Sequence, residues 1–121
     1  MMDIYAEQVL DHYRHPRGKT SLPHPTVSHT EKNVSCGDSL TIELQIEDDR
    51  IAAVGWSGEG CAISQAGMSL LSEILTGMTT LEAAELQPEK IFELLGVPIG
   101  PRRMKCALLS LEALQNAVRK K

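Results

Sequence analysis

The apolar residues of this chain pass from a period of two to one of 3.6 at Gly58-Glu59-Gly60-Cys61, and that change limits the possible folds more than any other feature. Before it, Leu40, Ile42, Leu44 and Ile46 alternate with polar neighbours, and Ala52, Val54 and Trp56 continue the alternation beyond Asp48-Asp49-Arg50. Successive strand side chains point to opposite faces, so this pattern predicts a hairpin with one buried face. After the change, Ile63, Ala66, Leu70, Leu71, Ile74 and Leu75 recur at helical spacing, up to a cap at Gly77. Strands grouped early and helices grouped late describe an α+β domain: a three-stranded antiparallel sheet with helices packed on one face.

The remaining elements follow from local signals. A helix is expected from Asp3 to about Tyr13, with Ala6, Leu10 and Tyr13 on one face and Tyr5 and Val9 beside them. His15-Pro16 ends it, because a residue before proline is pushed out of helical geometry. Arg17 to Pro25 reads as an irregular crossing, and Thr26 to Asn33 as an edge strand of low hydrophobicity. Thr79 with Glu82 resembles a capping box, and Pro88 suits the first position of a helix carrying Ile91, Phe92 and Leu95 before Gly96. The 97–101 stretch is a stiff, proline-rich loop. The last helix is expected to bury Met104, Leu108, Leu111, Leu114 and Val118, with Arg119, Lys120 and Lys121 complementing its carboxyl end.

At 121 residues the chain is read as a single domain, 1–121, with a core that must be aliphatic because Phe92, Trp56, Tyr5 and Tyr13 are its only aromatics. A formal charge of -4 gives no electrostatic reason to bind nucleic acid or an anionic membrane. No signal peptide and no apolar run of membrane-spanning length is apparent. An odd number of cysteines without a signal points to a reducing, cytoplasmic setting and away from a disulfide scaffold.

Three cysteines stand where one element gives way to another, at Ser35-Cys36-Gly37-Asp38, Gly60-Cys61-Ala62 and Met104-Lys105-Cys106. Gly37 lets the turn bend so that Cys36 and Asp38 can face one ion. Cys61 and Cys106 each open a helix, where the positive end of the helix dipole favours a thiolate. Three thiolates and a carboxylate can complete a tetrahedral zinc shell, or hold an iron–sulfur unit through one exchangeable oxygen. A buried cysteine can also be a small hydrophobe, and an aspartate after glycine can simply serve a turn. Arg102, Arg103 and Lys105 could offset the negative charge of the shell or accept an anionic sulfur species. His12, His15, His24 and His29 form no ligand-spaced pair and are assigned local hydrogen-bonding roles.

These residues resemble the IscU/SufU (NifU amino-terminal-like) iron–sulfur cluster assembly scaffold family over nearly the whole chain. The likeness runs through Asp11-His12-Tyr13, His15-Pro16-Arg17, Cys36-Gly37-Asp38, the stretch from Gly58 to Ala66, and Arg103-Met104-Lys105-Cys106-Ala107. It implies a SufE/NifU-like architecture and a transient [2Fe-2S] cluster built from iron and sulfur. The sulfur would come from a cysteine desulfurase, and the product would pass to apo iron–sulfur proteins or carrier proteins. Matched by position, Cys36, Asp38, Cys61 and Cys106 are the metal or cluster ligands, and Cys106 the sulfur acceptor. Lys105 stands where the IscU branch has histidine, and the 97–101 loop departs from that branch's chaperone motif. Gly-Cys-Ala-Ile-Ser at 60–64 is similar to SufU, although a SufU-type insertion between the second and third cysteines is missing. Two functions therefore stand side by side: a non-enzymatic scaffold, and a zinc-dependent sulfurtransferase, which is an enzyme. A purely structural zinc domain is a third reading, disfavoured because structural sites bring their ligands in short local pairs.

Overall fold

The computed structural model describes residues 4–34 and 37–120, without the side chains of Ile4, Tyr5, Ala6 and Arg102. Strands β1 (Val27–Asn33), β2 (Asp38–Glu47) and β3 (Arg50–Glu59) form an antiparallel sheet in the order β1-β2-β3. The helices are α1 (Ile4–Arg14), α2 (Ala62–Leu75), α3 (Thr80–Ala84), α4 (Pro88–Leu95) and α5 (Met104–Lys120). Helices α2 and α5 pack on one face of the sheet, α1 and α4 pack on α2, and α3 packs on α5. The architecture is α+β, as the change of period predicts.

The alternation in β2 is realised without a break where it matters: Leu40, Ile42 and Leu44 are fully buried on the helix side. Asp38 has the same parity and is also buried. The hairpin turn is Asp48-Asp49, both left-handed at φ 52° and 61°, between the paired Glu47 and Arg50. Such a two-residue turn matches the twist of its strands. The return strand departs from the expected alternation. Ile46 pairs with Ile51 and Gln45 with Ala53, so Ala52 is the extra residue of a bulge. Ile51 is buried in the place expected for Ala52, which is exposed; beyond the bulge Trp56 returns to the inner face opposite Ile42.

The 17–25 crossing wraps the sheet. It begins at the β3 edge, where Gly18 accepts the Trp56 backbone N–H at 3.0 Å. It then passes over the outer face, where the Leu22 N–H donates to Glu43 Oε1 at 2.8 Å, and joins β1 after the Thr26 N–H donates to the Leu44 carbonyl at 2.7 Å. Gly55 makes this route possible, because a methyl there would collide with the Thr20 carbonyl.

The expected face of α1 is rotated. Val9 and His12 are buried, whereas Leu10 and Tyr13 are 36% and 46% exposed. The cause is polar: His12 Nδ1 and Ser69 Oγ share a hydrogen bond of 2.7 Å, which turns that side of α1 onto α2. The Arg17 N–H donates to the same Ser69 oxygen, and the Arg17 carbonyl accepts from Trp56 Nε1 and Ser72 Oγ. The Asp-His-Tyr…His-Pro-Arg stretch thus locks the end of α1 to α2. Helix α2 lies between the sheet and α1/α4, so Ser64, Gln65, Ser69 and Ser72 are buried along with its apolar stripe.

The remaining local signals are realised. The Thr79–Glu82 capping box is present, Pro88 opens α4, and Gly96 ends it in a left-handed conformation. Helix α5 buries Cys106, Ala107, Leu109, Ser110, Ala113 and Ala117 besides Leu111 and Leu114, while Met104, Leu108 and Val118 are only half-buried. The small residues permit a close approach to α2, with Ser110 beside Gly67. Strand β1 is polar because it meets α5 through a hydrogen-bonded seam. Glu31 contacts His29 Nε2 at 2.7 Å and accepts from Asn116 Nδ2 at 2.8 Å. Burial alone would raise the Glu31 carboxyl, but these two bonds hold it below its ordinary value.

Burial, and then the Arg17 guanidinium, hold His12 below its ordinary 6.5, against the opposing pull of Glu73 and Asp11. The unfolded chain therefore binds that proton more strongly, and stability is lost as pH falls through 6.5 toward the folded value. Between about pH 7.5 and about pH 5.5 the urea midpoint should fall more for the wild type than for His12→Gln. Parallel falls would contradict this assignment.

Candidate metal centre

One end of the sheet meets the starts of two helices, and the candidate ligands gather there. Strand β2 opens with Asp38 on its inner face, 2% exposed. Cys61 is the cap residue of α2, in extended conformation at φ -74° and ψ 165°, and half-buried. Cys106 is the third residue of α5 and 3% exposed. One ligand atom from each of these three residues lies within 4.8 Å of the other two. Cys36, expected as the fourth ligand, lies outside the described residues. Its neighbour Gly37 has φ 74°, the left-handed bend expected for that turn.

The Asp38 carboxylate has two tasks. Oδ1 accepts the Cys61 backbone N–H at 3.0 Å, while Oδ2 lies 3.7 Å from Cys61 Sγ. Cys61 has no side-chain cap of its own, so Asp38 supplies the acceptor that an opening helix turn lacks. Gly60 allows this contact. It sits at φ +149°, a region closed to other residues, and a methyl there would collide with the Asp38 carboxylate. The Gly-Glu-Gly-Cys stretch is therefore a device for bringing a cysteine against a carboxylate.

This donor set suits a thiophilic dication. A tetrahedral ion with metal–sulfur bonds of about 2.3 Å keeps neighbouring ligand atoms roughly 3.5–3.8 Å apart. Donors separated by at most 4.8 Å need to draw in by about 1 Å. Ligands from three separate elements also make the site a product of the whole fold. The histidines do not join it: among the described residues the ligand-type cluster is Asp38, Cys61 and Cys106, while His12 and His29 bond Ser69 and Glu31.

The basic residues expected beside Cys106 separate. Lys105 is exposed and lines a cavity of about 360 Å³ together with Lys32, Asn33, Leu109 and Glu112. Arg103 instead borders an apolar groove between α1, the start of α2 and the 97–99 loop. The side chain of Arg102 is among those not described. Cys106, besides standing in the first turn of α5, is part of the buried core cluster together with Leu109 and Ala107. Asn33 escaped the sequence reading. It is the last residue of β1, 8% exposed, with Nδ2 3.9 Å from Cys106 Sγ. Its signal was parity, since Val27, His29, Glu31 and Asn33 share one face.

Asp38→Ala removes the acceptor for a partly buried N–H as well as a candidate ligand. It should lower the unfolding free energy of the metal-free protein by about 1–3 kcal/mol in urea titrations. Asp38→Asn keeps an oxygen for the Cys61 N–H and should lose less than half as much; equal losses would contradict the anchoring role.

With this geometry in place, comparison with known proteins is informative. The family model for the NifU-like N terminal domain matches residues 4–120. The iron-sulfur cluster assembly scaffold protein IscU 1 of Archaeoglobus fulgidus is 30% identical over 115 residues, covering 95% of this chain and 74% of that protein. The zinc-dependent sulfurtransferase SufU of Bacillus subtilis is 31% identical, covering 97% of this chain and 90% of that one. That alignment extends over 136 positions against 121 residues here, so the relative carries segments with no counterpart in this chain. Among solved structures, FiSufU from Fervidobacterium islandicum superposes with a TM-score of 0.81 at 27% identity, covering 93% of this chain and 94% of that one. The chain belongs to the NifU-like N-terminal domain family, the family of the IscU and SufU proteins.

Proposed function

We propose that this protein is an iron–sulfur cluster assembly scaffold whose ligands are Cys36, Asp38, Cys61 and Cys106. The observation that carries this reading is the convergence of Asp38, Cys61 and Cys106 from β2, α2 and α5. The named function of the A. fulgidus relative supports it. Two thiolates beside a carboxylate give a mixed shell, in which the harder oxygen exchanges more readily on a soft centre. A scaffold needs one such ligand, because its cargo must leave. In this reading a cysteine desulfurase supplies sulfur as persulfide in the cytoplasm. Each persulfide sulfur would take up two electrons from an external thiol or electron-transfer-protein reductant to become sulfide. Iron and sulfide would then be held as a [2Fe-2S] unit between the four side chains, and apo-proteins or carriers would receive it.

The second reading is a zinc-dependent sulfurtransferase. It is favoured by three donors within 4.8 Å of one another, close enough to share one zinc ion, and by the B. subtilis relative. The Cys106 thiolate would attack the outer sulfur of the desulfurase persulfide. The partner's S–S bond breaks, its thiolate leaves, and Cys106 carries the new S–S bond. At 3% exposure Cys106 is poorly placed to meet a partner directly, whereas Cys61 is half-buried. This weighs toward the scaffold.

Anaerobic reconstitution with ferrous iron and sulfide should give visible sulfide-to-iron charge-transfer absorption, lost by at least about half in Cys36→Ala, Cys61→Ser and Cys106→Ser. Absorption equal to that of the wild type in all three variants would overturn the scaffold reading. Asp38→Ala should release its cluster to an apo-protein more slowly, since the exchangeable ligand is gone; faster release would contradict that role. For the second reading, mass spectrometry after incubation with desulfurase and cysteine should find one added sulfur atom on the zinc-loaded protein, and an unmodified mass would exclude it.

A further inference from the structure

We propose that Asn33 is a positioning residue for this centre, holding the Cys106 sulfur toward Asp38 and Cys61 and tuning it through an N–H···S hydrogen bond. The inference rests on the metal-binding reading above. Asn33 ends β1 directly opposite Asp38 in the strand register, and both side chains are buried on the helix side. Its carbonyl accepts the Gly37 N–H at 2.9 Å, just before β2 begins at Asp38. Its amide Nδ2 lies 3.9 Å from Cys106 Sγ. One residue thereby ties the end of β1 and the approach to β2 to the helix bearing Cys106, as Asp38 ties β2 to Cys61. Asn33 also forms common wall between two adjoining cavities, one bordered by Lys105 and Glu112, the other by Asp38 and Glu59.

A donor on a thiolate sulfur withdraws electron density from it, and partners of this kind orient the ligand and tune the metal. The test uses cobalt(II) alone as probe, titrated anaerobically into the full chain. The wild type should show sulfur-to-cobalt charge-transfer absorption. Asn33→Leu, of similar shape but without a donor, should bind cobalt about 10–100-fold more weakly and shift that band to lower energy. Asn33→Asp, which keeps the size but offers only acceptors, should shift it in the same direction. In a Cys106→Ser background, adding Asn33→Leu should move the band no further, which a merely structural loss at position 33 would not produce. Wild-type affinity and band position in both Asn33 variants, or a shift that persists without Cys106, would overturn the role of Asn33 alone. Absence of thiolate absorption in the wild type would overturn the metal reading itself, and the role of Asn33 with it.

Discussion

The Asp38 carboxylate joins the two halves of the molecule. On one side it belongs to the inner row of β2, continuing Leu40, Ile42 and Leu44 to the end of the strand. On the other it accepts the first N–H of the long helix at Cys61. A buried carboxylate is costly unless hydrogen-bonded, and the opening turn of a helix is short of acceptors. Each deficit is met by the other. The contact places the Cys61 sulfur 3.7 Å from the second carboxylate oxygen, so the bond that docks α2 on the sheet also assembles two thirds of the described donor set. Fold and site are the same interaction at this point.

Much of this was legible in the amino-acid sequence. The change of period at Gly58-Glu59-Gly60 announced the sheet and the helices packed on it, and Cys61 and Cys106 do stand at helix starts. What periodicity missed was set by polar contacts between distant residues. The His12–Ser69 bond decides which side of α1 is buried, and the bulge at Ala52 decides which residue of β3 faces inward. Asn33 was overlooked because an edge strand of low hydrophobicity gave no reason to assign its polar residues to the inner face. Its parity with Val27 and its register opposite Asp38 show that it faces the helices.

The burial of the two described cysteines gives the site a polarity. Cys61 is half-buried, next in sequence to Ala62, which borders the groove with Arg103, while Cys106 is buried in the core with Asn33 beside its sulfur. Residues 97–99 and the start of α2 border that groove, so the loop that departs from the IscU chaperone motif packs next to the helix that Cys61 caps.

The central claim is that Asp38, Cys61 and Cys106 bind one metal ion together with Cys36. X-ray absorption at the zinc edge of the zinc-loaded protein tests it most directly. The account predicts a first shell of three sulfurs at about 2.3 Å and one oxygen at about 2.0–2.2 Å, with one sulfur lost in each of Cys61→Ser and Cys106→Ser. A shell of oxygen and nitrogen alone, or a sulfur count unchanged by either substitution, would contradict it.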